Sequence, residues 1–286
     1  MPGPDRPVDG RAASIDGASA GRGHAIRTMG LTRRFGSLTA VDGLSIEVAP
    51  GEVFGLLGSN GAGKSVTIKM LTTLLPPTSG EAWVAGFNVV GDASRVRERI
   101  GYIPQMVSAD GALTGYENLV VSARLYGLSR REREERIAEA LGLMELGDAA
   151  SHVVKQYSGG MIRRLEIAQS LLHRPAVLFM DEPTVGLDPV ARATVWRHIR
   201  DVRARYGTTL FVTTHYMEEA EEQCDRMAIL HRGRLAALGT PAALKAEVGS
   251  EASLDDAFAH FTGGPVDAGG AYRDVLRSRR TAQRLG

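Results

Sequence analysis

The sequence predicts an α/β fold: a mostly parallel sheet with helices on both faces, interrupted by a helical insertion. Short, wholly apolar runs such as residues 53–57 and 176–180 are the pattern of strands buried on both faces. These runs alternate with segments of helical period, which is the arrangement of a parallel sheet. Between the first such run and the helix after it lies Gly58-Ser59-Asn60-Gly61-Ala62-Gly63-Lys64-Ser65, a glycine-rich turn from strand to helix.

The elements follow in order. Residues 1–24 hold too little apolar mass to offset the entropy of ordering and read as a disordered leader. Strand-like stretches at 25–31 and 44–48 are separated by Gly43 and closed by Pro50-Gly51. The buried strand at 53–57 leads through the glycine-rich turn into a helix over 65–75, with Ile68, Leu71 and Leu75 on one face and Pro76-Pro77 as its stop. Residues 116–146 have helical period. Arg130 to Arg136 form its solvated charged face, and Ile137, Leu141 and Met144 lie behind. Strands at 176–180 and 209–213 flank a helix over 190–203. A further strand at 227–230 turns at Arg232-Gly233 into 235–238. The segment 241–262 suits short helices with Leu254, Phe258 and Phe261 as a packing stripe. From 263 onward the glycines and Arg273, Arg277, Arg279, Arg280 and Arg284 suggest a disordered basic tail. The main domain is thus expected over 25–240, its helical insertion over about 106–170 and a small extension over 241–262. No internal repeat is visible.

Composition bounds the function. The 286 residues are 43% hydrophobic and 23% charged, enough for a real core without metal or disulfide staples. A formal net charge of +1 gives no electrostatic footing for nucleic acid or acidic substrates. The single cysteine, Cys224, has no intrachain partner, which fits a reducing compartment. No apolar run approaches the roughly 18 residues of a membrane-crossing helix, and 1–24 has no secretory signal pattern. The expectation is a soluble, cytoplasmic chain.

The chemistry begins at Gly58–Ser65, which matches G-x-x-x-x-G-K-S in full and in the required strand–loop–helix context. Glycines let the backbone wrap phosphate oxygens so that successive N–H groups point inward, and the helix N-terminus adds partial positive charge. Lys64 is placed for the β- and γ-phosphates and Ser65 for Mg²⁺. The apolar run 177–180 delivers Asp181 to a strand end, where it is placed to hold Mg²⁺. Glu182 beside it is a candidate general base for the attacking water. A P-loop NTPase fold follows, but kinases, GTPases and motor ATPases all remain open at this point.

Further motifs narrow the choice. Tyr157-Ser158-Gly159-Gly160-Met161 resembles the signature of ABC ATPases, usually written L-S-G-G-Q. Gln105 looks like the glutamine of their Q-loop, Gly186-Leu187-Asp188 like the D-loop, and His215 like the switch histidine. Phe35 looks like the aromatic that stacks on adenine. Over about 25–262 the chain is therefore similar to ABC ATPases. The resemblance implies a RecA-like core, an N-terminal antiparallel β portion and a helical subdomain. It implies ATP and Mg²⁺ as ligands, with Glu182, His215 and Gln105 in catalysis and Ser65, Gln105 and Asp181 on the metal. Nucleotide contacts are implied for Phe35, Val41, Gly58, Ser59, Asn60, Gly61, Ala62, Gly63, Lys64, Ser65, Val66, Gln105 and His215. A contact is implied for Asp188 as well, and those of Ser158, Gly159 and Gly160 would reach across a head-to-tail homodimer. A separately encoded multi-span permease is the implied partner, on the inner face of the membrane, with no nucleic acid and no cargo site on this chain.

A finer resemblance links 157–161, 213–221 and 253–258 to the daunorubicin-resistance group of exporter ATPases, which implies a hydrophobic drug or antibiotic as cargo. Three positions depart from the wider family. Val66 stands where a hydroxyl is usual, Ser59 where proline is common, and Met161 where the signature has glutamine. Two other readings compete: a soluble ABC-type protein acting on ribosomes or DNA, and a regulator that binds nucleotide without hydrolysing it. The single set of motifs argues against the first, and intact Lys64, Asp181, Glu182 and His215 argue against the second.

Overall fold

A computed structural model describes residues 23–264. Two sheets form the molecule. The first is antiparallel, in the order β2 (Leu38–Leu44), β1 (Ile26–Phe35), β5 (Ser79–Val84), β6 (Phe87–Asn88), with β3 (Glu47–Val48) also paired to β1. The second has the order β11 (Arg234–Gly239), β10 (Arg226–His231), β4 (Val53–Leu57), β9 (Thr209–Thr214), β8 (Val177–Asp181), β7 (Ile100–Ile103). It is parallel except for the β10–β11 hairpin.

Strand residues alternate between two cores, as a pleat of period two requires. Phe54, Leu56, Phe179, Phe211, Ala228 and Leu230 face one way. They pack on α1 (Lys64–Leu71) and on Ile26, Leu31, Val41, Leu44 and Val84 of the antiparallel sheet. Val53, Leu57, Leu178, Met180, Leu210, Val212, Met227 and Ile229 face the other way, in the cluster that holds α5 (Gly159–Leu171), α6 (Pro189–Tyr206) and α7 (Met217–Gln223). The expected cover of helices on both faces is thus met on one face by helices and on the other by α1, Val96 of the short helix Ala93–Arg99 and a second sheet.

The remaining elements are α2 (Ala93–Arg99), α3 (Gly115–Leu125), α4 (Arg130–Leu143), α8 (Pro241–Ala246) and α9 (Leu254–Thr262). The helical stretch expected over 116–146 divides at Gly127, which takes φ 69°. Thr114 and Ser129 start the two halves with capping boxes closed by Glu117 and Glu132. The helix expected over 65–75 ends at Leu71, and Thr73 turns away at φ 64°. The strand expected over 25–31 continues to Phe35, and that over 44–48 divides between β2 and β3. Residues 1–22 of the expected leader and 265–286 of the expected tail, with its arginines, lie outside the described residues.

Candidate functional site

Three parallel strands end level with one another. Leu57 of β4 is in register with Thr214 of β9, and Asp181 of β8 with Thr213. Each is followed at once by a segment of interest: the glycine-rich loop after Leu57, Glu182 after Asp181 and His215 after Thr214. Brought to one sheet edge, these segments sit where open α/β sheets bind ligands.

The loop's path leaves no room for side chains at two points. A Cβ on Gly58 would lie 2.6 Å from the Leu230 carbonyl oxygen, and one on Gly63, at φ 107°, would lie 2.5 Å from that of Ala40. Lys64 begins α1 and is buried at 5% exposure. Its Nζ donates to the carbonyls of Gly58 (2.7 Å) and Ser59 (3.2 Å) and stands 3.4 Å from Glu182 Oε1. Beside it opens a cavity of about 390 Å³ lined by Phe35, Leu38, Ala40, the loop from Ser59 to Lys64, Ser65, Val66, Gln105 and Glu182.

Glu182 is the centre of the electrostatics. It leaves the strand at φ 50°, and its backbone N–H donates to the Thr213 carbonyl (3.2 Å) and hydroxyl (3.0 Å). Its side chain, 7% exposed, takes Gln105 Nε2 on Oε2 at 3.0 Å and His215 Nδ1 on Oε1 at 3.2 Å. Burial pushes the Glu182 carboxyl up. The His215 hydrogen bond and the Lys64 ammonium outweigh it, so the net direction is below the usual carboxylate range. A carboxylate only accepts, so the shared proton sits on His215 Nδ1. Burial lowers the Lys64 pKa against the opposing pull of Glu182 and Asp181. Asp181 is 3% exposed and accepts from the Thr213 hydroxyl at 2.6 Å. Burial, with the Asp181 charge adding to it, raises the Tyr102 hydroxyl to about 12.

The cavity therefore gathers Phe35, Ser59, Asn60, Gly61, Ala62, Gly63, Lys64, Ser65, Val66, Gln105 and Glu182, with Gly58 beneath the loop, Asp181 behind and His215 on Glu182. Val41 does not line it. This side chain is fully buried and would meet a Cβ on Gly63 at 3.2 Å, so it supports the loop from below while Leu38 and Ala40 form the wall. Ser158, Gly159, Gly160 and Asp188 also lie off the cavity wall. Ser158 caps α5 by accepting from Met161 N–H (3.3 Å), and Asp188 caps α6 by accepting from Val190 and Ala191 N–H. A Cβ on Gly159 would press on Leu187, and one on Gly160 on Ala191, so the starts of α5 and α6 are in contact.

Sequence reasoning missed several supports of the site. Arg163 of α5 donates to the carbonyls of Pro104 (2.9 Å) and Gln105 (3.3 Å) and pairs with buried Glu166 at 2.9 Å, which pins the Gln105 loop to α5. The signal was an Arg and a Glu one turn apart on the helix's apolar face, where charge is costly unless paired. Thr213, on both Asp181 and Glu182, was hidden inside an ordinary strand pattern.

Comparison with known proteins fits this geometry. A family model described as ABC transporter matches residues 41–185. The chain belongs to the ABC transporter family. Its P-loop NTPase fold is that of ABC ATPase cassettes, and like other ATP-binding subunits of the family it binds ATP and couples ATP hydrolysis to transport. It is 48% identical over 226 residues to the daunorubicin/doxorubicin resistance ATP-binding protein DrrA of Streptomyces peucetius, covering 79% of this chain and 68% of that protein. It is 44% identical over 220 residues to the Nod factor export ATP-binding protein I of Paraburkholderia xenovorans, covering 77% and 72%. Among solved structures, the ATP binding subunit of an ABC transporter superposes with TM-score 0.74 at 31% identity, covering 83% of this chain and 99% of that one. A dimeric ATP-binding cassette in a post-hydrolysis state, bound to ADP and Pi, superposes with TM-score 0.67 at 25% identity, covering 75% and 98%. No helix among the described residues of this ABC subunit is long and apolar enough to cross a membrane.

Proposed function

We propose that this subunit powers export of a hydrophobic drug or antibiotic, giving resistance to it, through a separately encoded multi-span permease. It does so as a homodimer on the cytoplasmic face of the membrane. The names of the drug-resistance relatives support the cargo class. One observation carries the hydrolytic part: a buried carboxylate, Glu182, held at a strand end by Lys64, Gln105 and His215 beside the loop cavity.

The cavity takes the ATP phosphates against the loop N–H groups, with Phe35 and Leu38 toward the base. Ser65, Asp181 and Gln105 offer hard oxygen donors suited to Mg²⁺. No cluster of three or more His, Cys, Asp or Glu able to hold a metal occurs among the described residues, so phosphate and water would complete the shell. When bound, the ion would supply charge neutralisation to the phosphates. Glu182 orients the attacking water and takes its proton, and His215 fixes the carboxylate by its Nδ1–H. Lys64 has two anionic partners to serve. Once it turns to phosphate, one of the charges holding the Glu182 pKa down is withdrawn and Glu182 becomes a better base. Ser158, Gly159 and Gly160 act on the ATP of the opposite subunit.

Glu182→Gln tests this reading. The amide keeps the shape and cannot take the proton, so turnover should fall by about 10²–10⁴. ATP binding should persist and a stable dimer should appear with MgATP. Undiminished phosphate release, or only monomer on size exclusion with MgATP, would contradict it.

A further inference from the structure

Glu219 is a buried carboxylate that the mechanism above leaves without a task. It lies on α7, the helix that begins just after His215 and Tyr216, and is 6% exposed. Both its oxygens accept from the Thr184 hydroxyl, at 2.7 and 2.8 Å, and Arg192 Nε stands 3.2 Å away. Thr184 is 1% exposed and follows Glu182 and Pro183 in the loop that leaves β8. Arg192 belongs to the first turn of α6. Its guanidinium also lies 4.3 Å from the centre of the Tyr216 ring, which in turn rests 4.3 Å from the His215 imidazole. The contacts close a ring: Glu182 to His215, His215 to Tyr216, Tyr216 to Arg192, Arg192 to Glu219, Glu219 to Thr184, and back along the chain to Glu182.

We infer that Glu219 is a positioning residue for ATP hydrolysis: through Thr184 and Arg192 it locks the helix that follows His215 to the loop that carries Glu182. This rests on the roles given above to Glu182 and His215. The physical need is plain from the backbone. Glu182 sits at φ 50°, a conformation that its own residue type resists, and the hydrogen bond to His215 spans two separate segments at 3.2 Å. The Glu182 backbone N–H is already held by Thr213, two residues before His215, but that bond fixes the start of the loop and not its continuation. Glu219 adds a side-chain tie one turn after His215 and two residues beyond Glu182, which limits how far the two side chains can drift apart. A general base gains its rate from placement, and a misplacement of about 1 Å can cost on the order of 10²-fold. Glu219 and Thr184 do not line the cavity, so their removal should act on turnover and spare binding.

The test uses the full chain with MgATP and four variants. Thr184→Val removes only the hydroxyl at nearly constant volume, and Thr184→Ser restores it. Glu219→Ala removes the tie outright, and His215→Ala reports on the underlying reading. Expected are a fall in kcat of about tenfold for Thr184→Val, up to about 10²-fold for Glu219→Ala, and recovery to near the parent rate in Thr184→Ser. ATP affinity in Thr184→Val should stay within about twofold of the parent. That split, with rescue by serine, is what a merely structural role would not produce. If Glu219→Ala does not fold, the threonine pair decides alone. Parent-like kcat in Thr184→Val, or weakened ATP affinity in place of slowed turnover, would overturn the role of Glu219. Parent-like kcat in His215→Ala would instead overturn the catalytic reading on which it rests.

Discussion

At Val66 a single side chain is expected to tune nucleotide affinity without deciding whether the site works. It lines the cavity in the first turn of α1, where a hydroxyl would face the phosphates. The neighbouring Thr67 cannot stand in for it. That side chain is fully buried and spends its hydroxyl on the Gly63 carbonyl at 3.0 Å. A neutral hydrogen bond is worth about 0.5–1.5 kcal/mol net, so Val66→Thr should tighten ATP binding by roughly 2- to 10-fold. Titration with a fluorescent ATP analogue measures this; unchanged or weaker affinity would mean that the new hydroxyl turns back to the helix carbonyls. Around this position most of the site was legible from the sequence. Loop glycines, Lys64, Asp181 and Glu182 declare themselves because their chemistry demands fixed spacing along the chain. Supports such as Thr184, Thr213, Arg163 and Glu219 do not, because each acts through a partner distant in sequence and has an unremarkable neighbourhood of its own.

Elements differ in the same way. The strand Val53–Leu57 was readable to the residue because a strand buried on both faces must be apolar throughout. β5 was missed: its first half, Ser79, Gly80 and Glu81, is exposed and breaks the alternation. The pair α2 and β7 was hidden in an arginine-rich stretch where only Val96 of the helix is buried. α7 is short and acidic and has no apolar period to detect. The stripe expected in the segment 241–262 has a clear physical role, since Leu254, Ala257 and Phe258 of α9 and Leu244 of α8 are buried in the same cluster as Met217 and Ala220 of α7. Lys245 of α8 adds an ion pair to Glu221 of α7. This segment therefore backs the helix that follows His215. Phe258→Ala should cost about 3–5 kcal/mol, the range for emptying a buried aromatic site. Against a total of about 5–15 kcal/mol such a loss is large. Urea unfolding gives the value, and a change below about 1 kcal/mol would show that α9 rests on the surface without sharing its core.

At the scale of the molecule, the loop cavity and the Ser158–Gly160 start of α5 in one subunit do not meet. The loop cavity draws on the ends of β4 and β8 and on β1 and β2, whereas Ser158, Gly159 and Gly160 open α5 away from the cavity wall. A site completed only by a second copy makes hydrolysis depend on dimer closure, and mixed dimers test that directly. Ser158→Arg places a bulky side chain at the closing surface. It also loses the cap of α5, at about 1 kcal/mol, so the fold should survive. Each Ser158→Arg subunit should still bind ATP, because its own loop is untouched, while Lys64→Ala should lose ATP at micromolar nucleotide for want of the charge facing the phosphates. In a mixed dimer, the intact loop of the Ser158→Arg subunit faces the intact signature of the Lys64→Ala subunit, and the other site carries both defects. Mixing the two inactive proteins should therefore restore part of the parent hydrolysis, read as phosphate release. The affinity measurement decides the assignment independently of that rescue. If monomeric Ser158→Arg fails to bind ATP, then Ser158 belongs to its own subunit's pocket, and the head-to-tail arrangement is wrong for this chain.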